Sequence, residues 1–259
     1  MELTRENYYS PEASQEYFSV SQFKHFMECP AAAMAYIDGS FRDEPTQALL
    51  EGSYVDAALT GDLLEFVARH PEIMNRRSGE LKLKAPFKKA ARAVERARRD
   101  PVFMNYLDGA KQIVLTGELF GQKWKGMIDV LHDDMIVDLK YMRNIEPVYK
   151  DGQRVTFIQG YGYDIQAYVY KELVRQNFDK NLPFYFAVIT KEEPADIHLI
   201  AMDDRFLSPV KGLLEHYTPI FASYKVGGNP PRCEHCKYCR ETHVISNPMS
   251  YVELMEGTL

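Results

Sequence analysis

Asp129–Met142 reads "DVLHDDMIVDLKYM", which places four aspartates and one lysine among aliphatic residues. If Asp133 and Asp134 form a two-residue turn, His132 opposes Met135, Val130 opposes Val137, and Asp129 opposes Asp138. Opposed Cβ atoms in a hairpin lie about 4.5–5.5 Å apart, and like charges there destabilise the sheet, so a cation is expected between the two acids. Strand alternation puts Ile136, Asp138 and Lys140 on one face and Met135, Val137 and Leu139 on the other. The second face is apolar and is expected to be the core side. On the preceding strand Trp124, Gly126, Ile128 and Val130 are expected to share that core side, with Lys125, Met127 and Asp129 beside Asp138 and Lys140. Converging carboxylates with an ammonium one pleat away suit Mg²⁺ or Mn²⁺ and the steering of a water toward a phosphodiester. The competing reading is a charged hairpin edge exposed to solvent, a device against aggregation.

Outward from this hairpin, "QIVLTGELF" (Gln112–Phe120) and "KWKGMIDVL" (Lys123–Leu131) read as two antiparallel strands joined at Gly121-Gln122. The pattern predicts a helix from Tyr161 to Arg175, two strands in "PFYFAVIT" and "DIHLIAM", and a helix from Asp203 to Lys225. Upstream, Ser19 and Gln22 have capping-box spacing ahead of a helix that stops at Cys29-Pro30. A further helix over Gln47–Leu59 places Gly52 and Asp56 on one face. The order predicts an α/β fold, a mixed sheet with antiparallel hairpin strands flanked by helices, in one domain spanning 1–259.

The 259 residues are 46% hydrophobic and 26% charged, with a formal net charge of -6. That balance fits a globular chain rather than a disordered one, and argues against a generally sticky nucleic-acid binder. No apolar run of about 18 residues occurs and the N-terminus lacks a signal-peptide pattern, so a cytoplasmic protein without a membrane span is expected. One segment departs from the acidic average. In "KLKAPFKKAARAVERARRD", Lys88, Lys89, Arg92, Arg96 and Arg99 are candidates for tracking DNA phosphates, against the plainer reading of a solvated helix face.

The four cysteines are Cys29, Cys233, Cys236 and Cys239, the last three spaced Cys-x-x-Cys-x-x-Cys. In a reducing compartment this pattern points to metal rather than disulfides. The candidates are a 4Fe-4S cluster, zinc held by the triplet with either Cys29 or His235, or no metal.

Asp129 followed by Asp138-Leu139-Lys140 resembles the acid, hairpin, acid-x-lysine pattern of the PD-(D/E)XK nuclease superfamily, whose core is restriction-endonuclease-like. Gln166 and Tyr170 in "YDIQAYVY" are similar to the QxxxY helix motif of its RecB-like and phage-exonuclease branches. "LLEGSYVDAAL" is similar to an upstream helix motif in which a histidine often follows glycine by four; Asp56 stands in that place. The resemblance spans approximately Ser19 to Arg240 and is nearest the phage and prophage exonucleases related to RecE (exodeoxyribonuclease VIII).

It implies a Mg²⁺-dependent exonuclease that digests linear duplex DNA 5′ to 3′ and hands a 3′ single strand to an annealing recombinase, in a homo-oligomer, in a bacterial or phage-infected cell. Asp129, Asp138, the Leu139 carbonyl and Asp56 would hold metal, Lys140 would orient or deprotonate water, and Gln166 and Tyr170 would brace the site or touch DNA. Glu118 is a further candidate acid by strand parity. The cysteine distribution resembles RecB-like nucleases of the AddB and CRISPR-associated types, in which a 4Fe-4S cluster ties the chain ends together. Two alternatives accompany this reading: a RecB-like nuclease trimming single-stranded ends, and an idle DNA-binding adaptor of the same fold.

Overall fold

A computed structural model describes residues 1–77, 80–245, 247–248 and 250–255. The chain begins with helices α1 (Pro11–Glu16), α2 (Val20–Glu28), α3 (Pro30–Asp38), α4 (Gln47–Thr60) and α5 (Leu63–Arg69). A short hairpin, β1 (Met74–Arg77) and β2 (Glu80–Leu83), leads into α6 (Ala85–Arg98) and α7 (Pro101–Tyr106). Then come β3 (Ala110–Leu119), β4 (Gln122–Leu131), β5 (Ile136–Met142) and a second small hairpin, β6 (Val148–Lys150) and β7 (Gln153–Val155). Helices α8 (Phe157–Gly160) and α9 (Tyr163–Phe178) follow, then β8 (Phe184–Thr190), β9 (Ile197–Met202), α10 (Ser208–Lys225), α11 (Lys237–Glu241) and α12 (Tyr251–Met255).

The main sheet has the order β3-β4-β5-β8-β9, with β5 and β8 parallel and the other neighbours antiparallel. Parallel neighbours need a long crossover, and α8 with α9 supplies it. The central strand β8 reads "FYFAVIT" with almost no polar residue because both of its faces are covered. Phe184, Phe186 and Val188 join a cluster with Trp124, Ile128, Ile136 and Leu173 under α9, α2 and α10. Ala187 and Ile189 join Val130, Val137, Tyr54, Phe87 and Val94 under α4 and α6. The sheet is therefore the middle of three layers.

The expected single core side is corrected by this layering. Ile136 and Asp138, assigned to a charged outer face, are both 0% exposed. Trp124 and Ile128 bury on the side of Ile136, not on that of Val137. The hairpin turns divide similarly. His132 N–H donates to the Met135 carbonyl at 2.9 Å, as the Asp133-Asp134 turn requires. The β3–β4 turn is Phe120-Gly121, one residue earlier than expected, since Leu119 pairs with Gln122 and both turn residues have positive φ.

At α2, Ser19 Oγ accepts the Gln22 N–H at 3.3 Å, but the Gln22 amide donates to the Ser14 carbonyl instead of closing a capping box. Among the described residues no helix is long and apolar enough to cross a membrane.

Candidate active site

The site forms where β5 leaves β4. The two strands pair at Val130–Val137 and Leu131–Ile136, and the next pair, Asp129 with Asp138, is absent from the ladder. Leu139 thereby loses its β4 partner, and its N–H donates to Asp129 Oδ2 at 2.9 Å. Within a strand the N–H and C=O of one residue point to the same side, so the Leu139 carbonyl also faces this notch. Ile136, three residues away and of opposite parity, turns its N–H to Pro183 on the β8 side.

A second irregularity opposes the first. β3 pairs Lys111 with Val130 and Ile113 with Ile128, skipping Gln112 and Asp129, and Gln112 has φ 53°. The strand changes face here: Ile128 buries under α9, whereas Val130 buries under α4 and α6. Breaks in ladders of this kind re-aim a side chain, and here the re-aimed chain is Asp129.

From the other faces, side chains converge on Asp138. Gln166 Nε2 donates to Asp138 Oδ1 at 2.5 Å, and Gln166 Oε1 accepts from Lys140 Nζ at 3.1 Å. Lys140 Nζ lies 2.5 Å from Asp138 Oδ2 and 4.8 Å from the centre of the Tyr163 ring. Tyr170, one turn beyond Gln166, is buried. Helix α9 comes this close because residue 126 is glycine: a Cβ there would stand 2.8 Å from Leu173 and 2.9 Å from Tyr170. Asp56 enters from α4 and accepts from Gln112 Nε2 at 3.1 Å. A cleft of about 300 Å³ lies on the Asp129 side, lined by Tyr8, Tyr9, Gln22, His25 and Lys125.

The electrostatics of the notch are unfavourable to its carboxylates. Burial, then the charge of Asp138, hold Asp129 well above the ordinary carboxylate range. Burial also raises Asp138, against the pull of Lys140. Asp56 is pushed up to about 6 by burial and by Asp138. Burial would lower the Lys140 ammonium, but Asp138 and Asp129 outweigh it and raise it. Asp138 Oδ2 is buried and accepts no directed hydrogen bond despite the nearby ammonium. Asp129 and Asp56, both raised by the charge of Asp138, join Asp138 and an inward backbone carbonyl as oxygen donors of the type a divalent cation takes. Among the described residues these acids do not gather as tightly as the four cysteines, so Asp56, Asp129, Asp138 and Leu139 match such an ion in chemistry.

Glu118 is not brought to this place. It pairs with Lys123, six residues along β3 from Gln112 and so about 20 Å from the notch, exposed, with its backbone tied to Gln176. Distance along the strand excludes it. The basic residues of α6 also lie elsewhere. Phe87, Ala90, Ala93, Val94 and Ala97 bind that helix to the sheet face opposite α9. Lys89, Arg92, Arg96 and Arg99 line a separate cleft of about 510 Å³ against Glu192 and Glu193, where Arg92 pairs with Glu193 at 2.6 Å.

Conversely, Lys24, Gln112, Tyr8 and Tyr163 reach the site without having been singled out in the sequence.

The four cysteines meet where the start of α3 packs against α11, just beyond the end of α2. Their Sγ atoms all lie within 4.8 Å of one another, with Cys29–Cys239 at 3.6 Å and Cys233–Cys239 at 3.9 Å. The fourth member is Cys29, not His235. Backbone N–H groups of Cys236 and Cys239 donate to Cys233 and Cys236 sulfurs at 3.3 and 3.4 Å. Burial pushes the Cys233 thiol up, but N–H groups of His235 and Cys236 outweigh it and bring it down to about 6.

Comparison with known proteins agrees with this geometry. The family described as "PDDEXK-like domain of unknown function (DUF3799)" matches residues 19–242. A crystal structure from Eubacterium rectale, described as "Putative exonuclease", is 41% identical with a TM-score of 0.93, covering 99% of each chain. No curated protein matches. The acid pair on a splayed hairpin, the lysine beside it and the glutamine from the crossover helix thus sit in a chain that belongs to the PDDEXK-like DUF3799 family, within the PD-(D/E)XK nuclease superfamily.

Proposed function

We propose that this chain is a Mg²⁺- or Mn²⁺-dependent DNA exonuclease acting 5′ to 3′ on linear duplex DNA and leaving 3′ single strands for phage-type recombination. The observation that carries the reading is the linked set Asp138, Lys140 and Gln166, facing Asp129 across a gap where the sheet has no ladder. Asp56, Asp129, Asp138 and the Leu139 carbonyl would hold the cation. When bound, it would supply a water acidified to a nucleophile and a positive charge for the oxygens of the scissile phosphate. Lys140, kept as an ammonium by the two acids, donates to that water or to a phosphate oxygen as negative charge develops. Gln166 bridges Asp138 and Lys140 and fixes both orientations.

Linear duplexes labelled at the 5′ or the 3′ end, with and without Mg²⁺, test the reading. Release of 5′ label from duplex supports it. Preference for single strands favours an end-trimming nuclease of the RecB-like kind, and no release with any divalent metal favours an idle DNA-binding adaptor. A homo-oligomer and an annealing recombinase as recipient of the product belong to the same proposal.

The cysteines enter it as a structural site for a single zinc ion. Zinc–thiolate bonds of about 2.3 Å in a tetrahedron set sulfurs about 3.8 Å apart. The observed 3.6 and 3.9 Å separations match that edge. A four-iron cubane attaches each thiolate to a different corner iron and spreads the sulfurs more widely, so the spacing favours zinc over a 4Fe-4S cluster. Anaerobically purified protein should be colourless with about one zinc per chain. A brown chromophore with stoichiometric iron would reverse the assignment.

A further inference from the structure

Beside Lys140 stands a second lysine that the reaction above does not use. Lys24 projects from α2, and its Nζ donates to the Tyr161 carbonyl at 3.0 Å and lies 5.7 Å from the centre of the Tyr163 ring. The same ring carries Lys140 at 4.8 Å. Two ammonium groups thus share one aromatic neighbour at the edge of the notch.

Their charges are not balanced alike. Lys140 has Asp138 at 2.5 Å, whereas Lys24 makes no ion pair among the described residues. Burial and then Lys140 lower the Lys24 ammonium, with Lys150 adding to the effect and Glu28 and Asp138 opposing it. Asp164 also faces Lys24 and Lys150. A partly desolvated cation held near like charges is costly unless an anion joins it.

The position is also built. Residue 162, at φ 63°, is glycine, and a Cβ there would stand 3.0 Å from Lys24 Cδ. Its absence lets the lysine stem run under the joint between α8 and α9. Tyr161, whose carbonyl takes that ammonium, is 47% exposed, and its ring lies 5.7 Å from that of Tyr163. Exposed Lys150 follows on β6, whose Val148 packs against Gly160. A row of cations with an exposed aromatic ring is what a nucleic-acid single strand binds, phosphates on the ammoniums and a base on the ring.

From this juxtaposition we infer that Lys24, Tyr161 and Lys150 form a phosphate-and-base subsite holding the nucleotide adjacent to the reacting phosphodiester. The inference rests on the nuclease reading and names where its strand runs. The phosphate at Lys24 is either a terminal monoester or an internal diester.

The test is fluorescence anisotropy of a labelled oligothymidylate, 5′-phosphorylated or 5′-hydroxyl, in EDTA so that binding is read without cutting. Lys24→Met should weaken binding about tenfold and reduce the salt dependence by about one phosphate contact. Lys24→Arg should stay within about twofold of wild type, and Tyr161→Phe should hold affinity where Tyr161→Ala loses it. Loss confined to the phosphorylated strand puts a terminal phosphate at Lys24; equal loss on both puts a diester there. Unchanged affinity and salt dependence in Lys24→Met and Lys150→Ala overturn the subsite. If Lys24→Met does not fold, exposed Lys150→Ala decides alone. Cutting of duplex by wild type in Mg²⁺ is assayed in parallel. Cutting without any role for Lys24 sinks the subsite only, and binding through Lys24 without cutting sinks the nuclease reading only.

Discussion

The acidic notch and the cysteine cluster are both suited to a cation, yet they are assembled from opposite materials. The notch is made inside the sheet by two failures of regular pairing, one in β4–β5 and one in β3–β4, which together turn Asp129 toward Leu139 and Asp138. The cluster is made outside the sheet by joining the beginning of α3 to a segment some 200 residues later. In the notch the ligands come with charge that the fold itself disfavours, and that is the condition of a site meant to act on a substrate. In the cluster the sulfurs are supported by backbone N–H groups, which outweigh burial and bring the Cys233 thiol down to about 6, the condition of a site meant to hold two parts of a chain together.

Replacing the acids separates these most sharply. Asp138→Asn or Asp129→Asn should reduce release of label from linear duplex by about 10³-fold or more, since each removes a ligand at the reacting centre. The metal-free melting temperature should hold or rise in Asp129→Asn, where a desolvated carboxylate raised by the charge of Asp138 is gone, and fall in Asp138→Asn, which leaves the half-buried Lys140 ammonium without its ion-pair partner. An enzyme within tenfold of wild-type activity, or an Asp129→Asn protein that melts far lower without metal, breaks the contrast from the acidic side.

The cysteine cluster should show the reverse. Cys239→Ser or prolonged chelation should lower the melting temperature by about 5–10 °C, the shift expected for a few kcal/mol in a chain of this size. Turnover at room temperature should persist in the protein that remains folded, as none of the four cysteines lines the cleft beside Asp129, and Tyr36 is the residue the two places share. Loss of cutting with no change in melting would assign the cysteines to chemistry instead.

The response to pH sharpens the same contrast. Burial and the charge of Asp138 push Asp56 up to about 6 from an ordinary 3.8 and hold Asp129 well above the same starting point. Between those values the folded chain binds more protons than the unfolded one, so without metal its stability falls as pH rises from about 4 toward 7. Cation binding needs the same groups deprotonated, so Mg²⁺-dependent activity should climb through that window. Thermal melts at pH 5, 6 and 7 in EDTA, repeated with Asp56→Asn, check it. A wild-type stability that increases with pH, or a slope that the substitution leaves untouched, removes Asp56 from the notch.

How much of this the sequence disclosed follows from the range over which each feature is determined. The β4–β5 register needed only a turn length and a parity, and the structure keeps both at Val130–Val137. Gln166 was legible because α9 crosses back over the strand it follows, setting one helical face against Asp138. The side of the core was not legible, because whether one or both faces are covered depends on helices far away in the chain. The face change at Asp129 depends on a positive φ at Gln112, and no pattern in "AKQIVL" announces it. Glu118 was named by parity alone, and alternation says nothing about position along a strand. Cys29 and His235 were equal candidates until the packing of α3 on α11 chose the cysteine.

The basic stripe of α6 offers the smallest and most selective test. Its exposed ion pair, Arg92 with Glu193, has both side chains more than half accessible, and such pairs contribute about 0–1 kcal/mol because water and salt screen them. Arg92→Ala and Arg96→Ala should therefore leave the melting temperature nearly unchanged. The stripe lies on the sheet face opposite Gln166, so any contact it makes with duplex lies away from the cut. If DNA runs that far, each substitution should weaken duplex binding uniformly across sequences and lower the salt slope by about one, with the turnover number unmoved. If duplex affinity and slope stay at wild-type values, α6 is a solvated face and nothing more. The cleft between Arg96 and the β8–β9 turn then has no part in holding substrate, and the notch with its neighbouring lysines must carry the grip on DNA by itself.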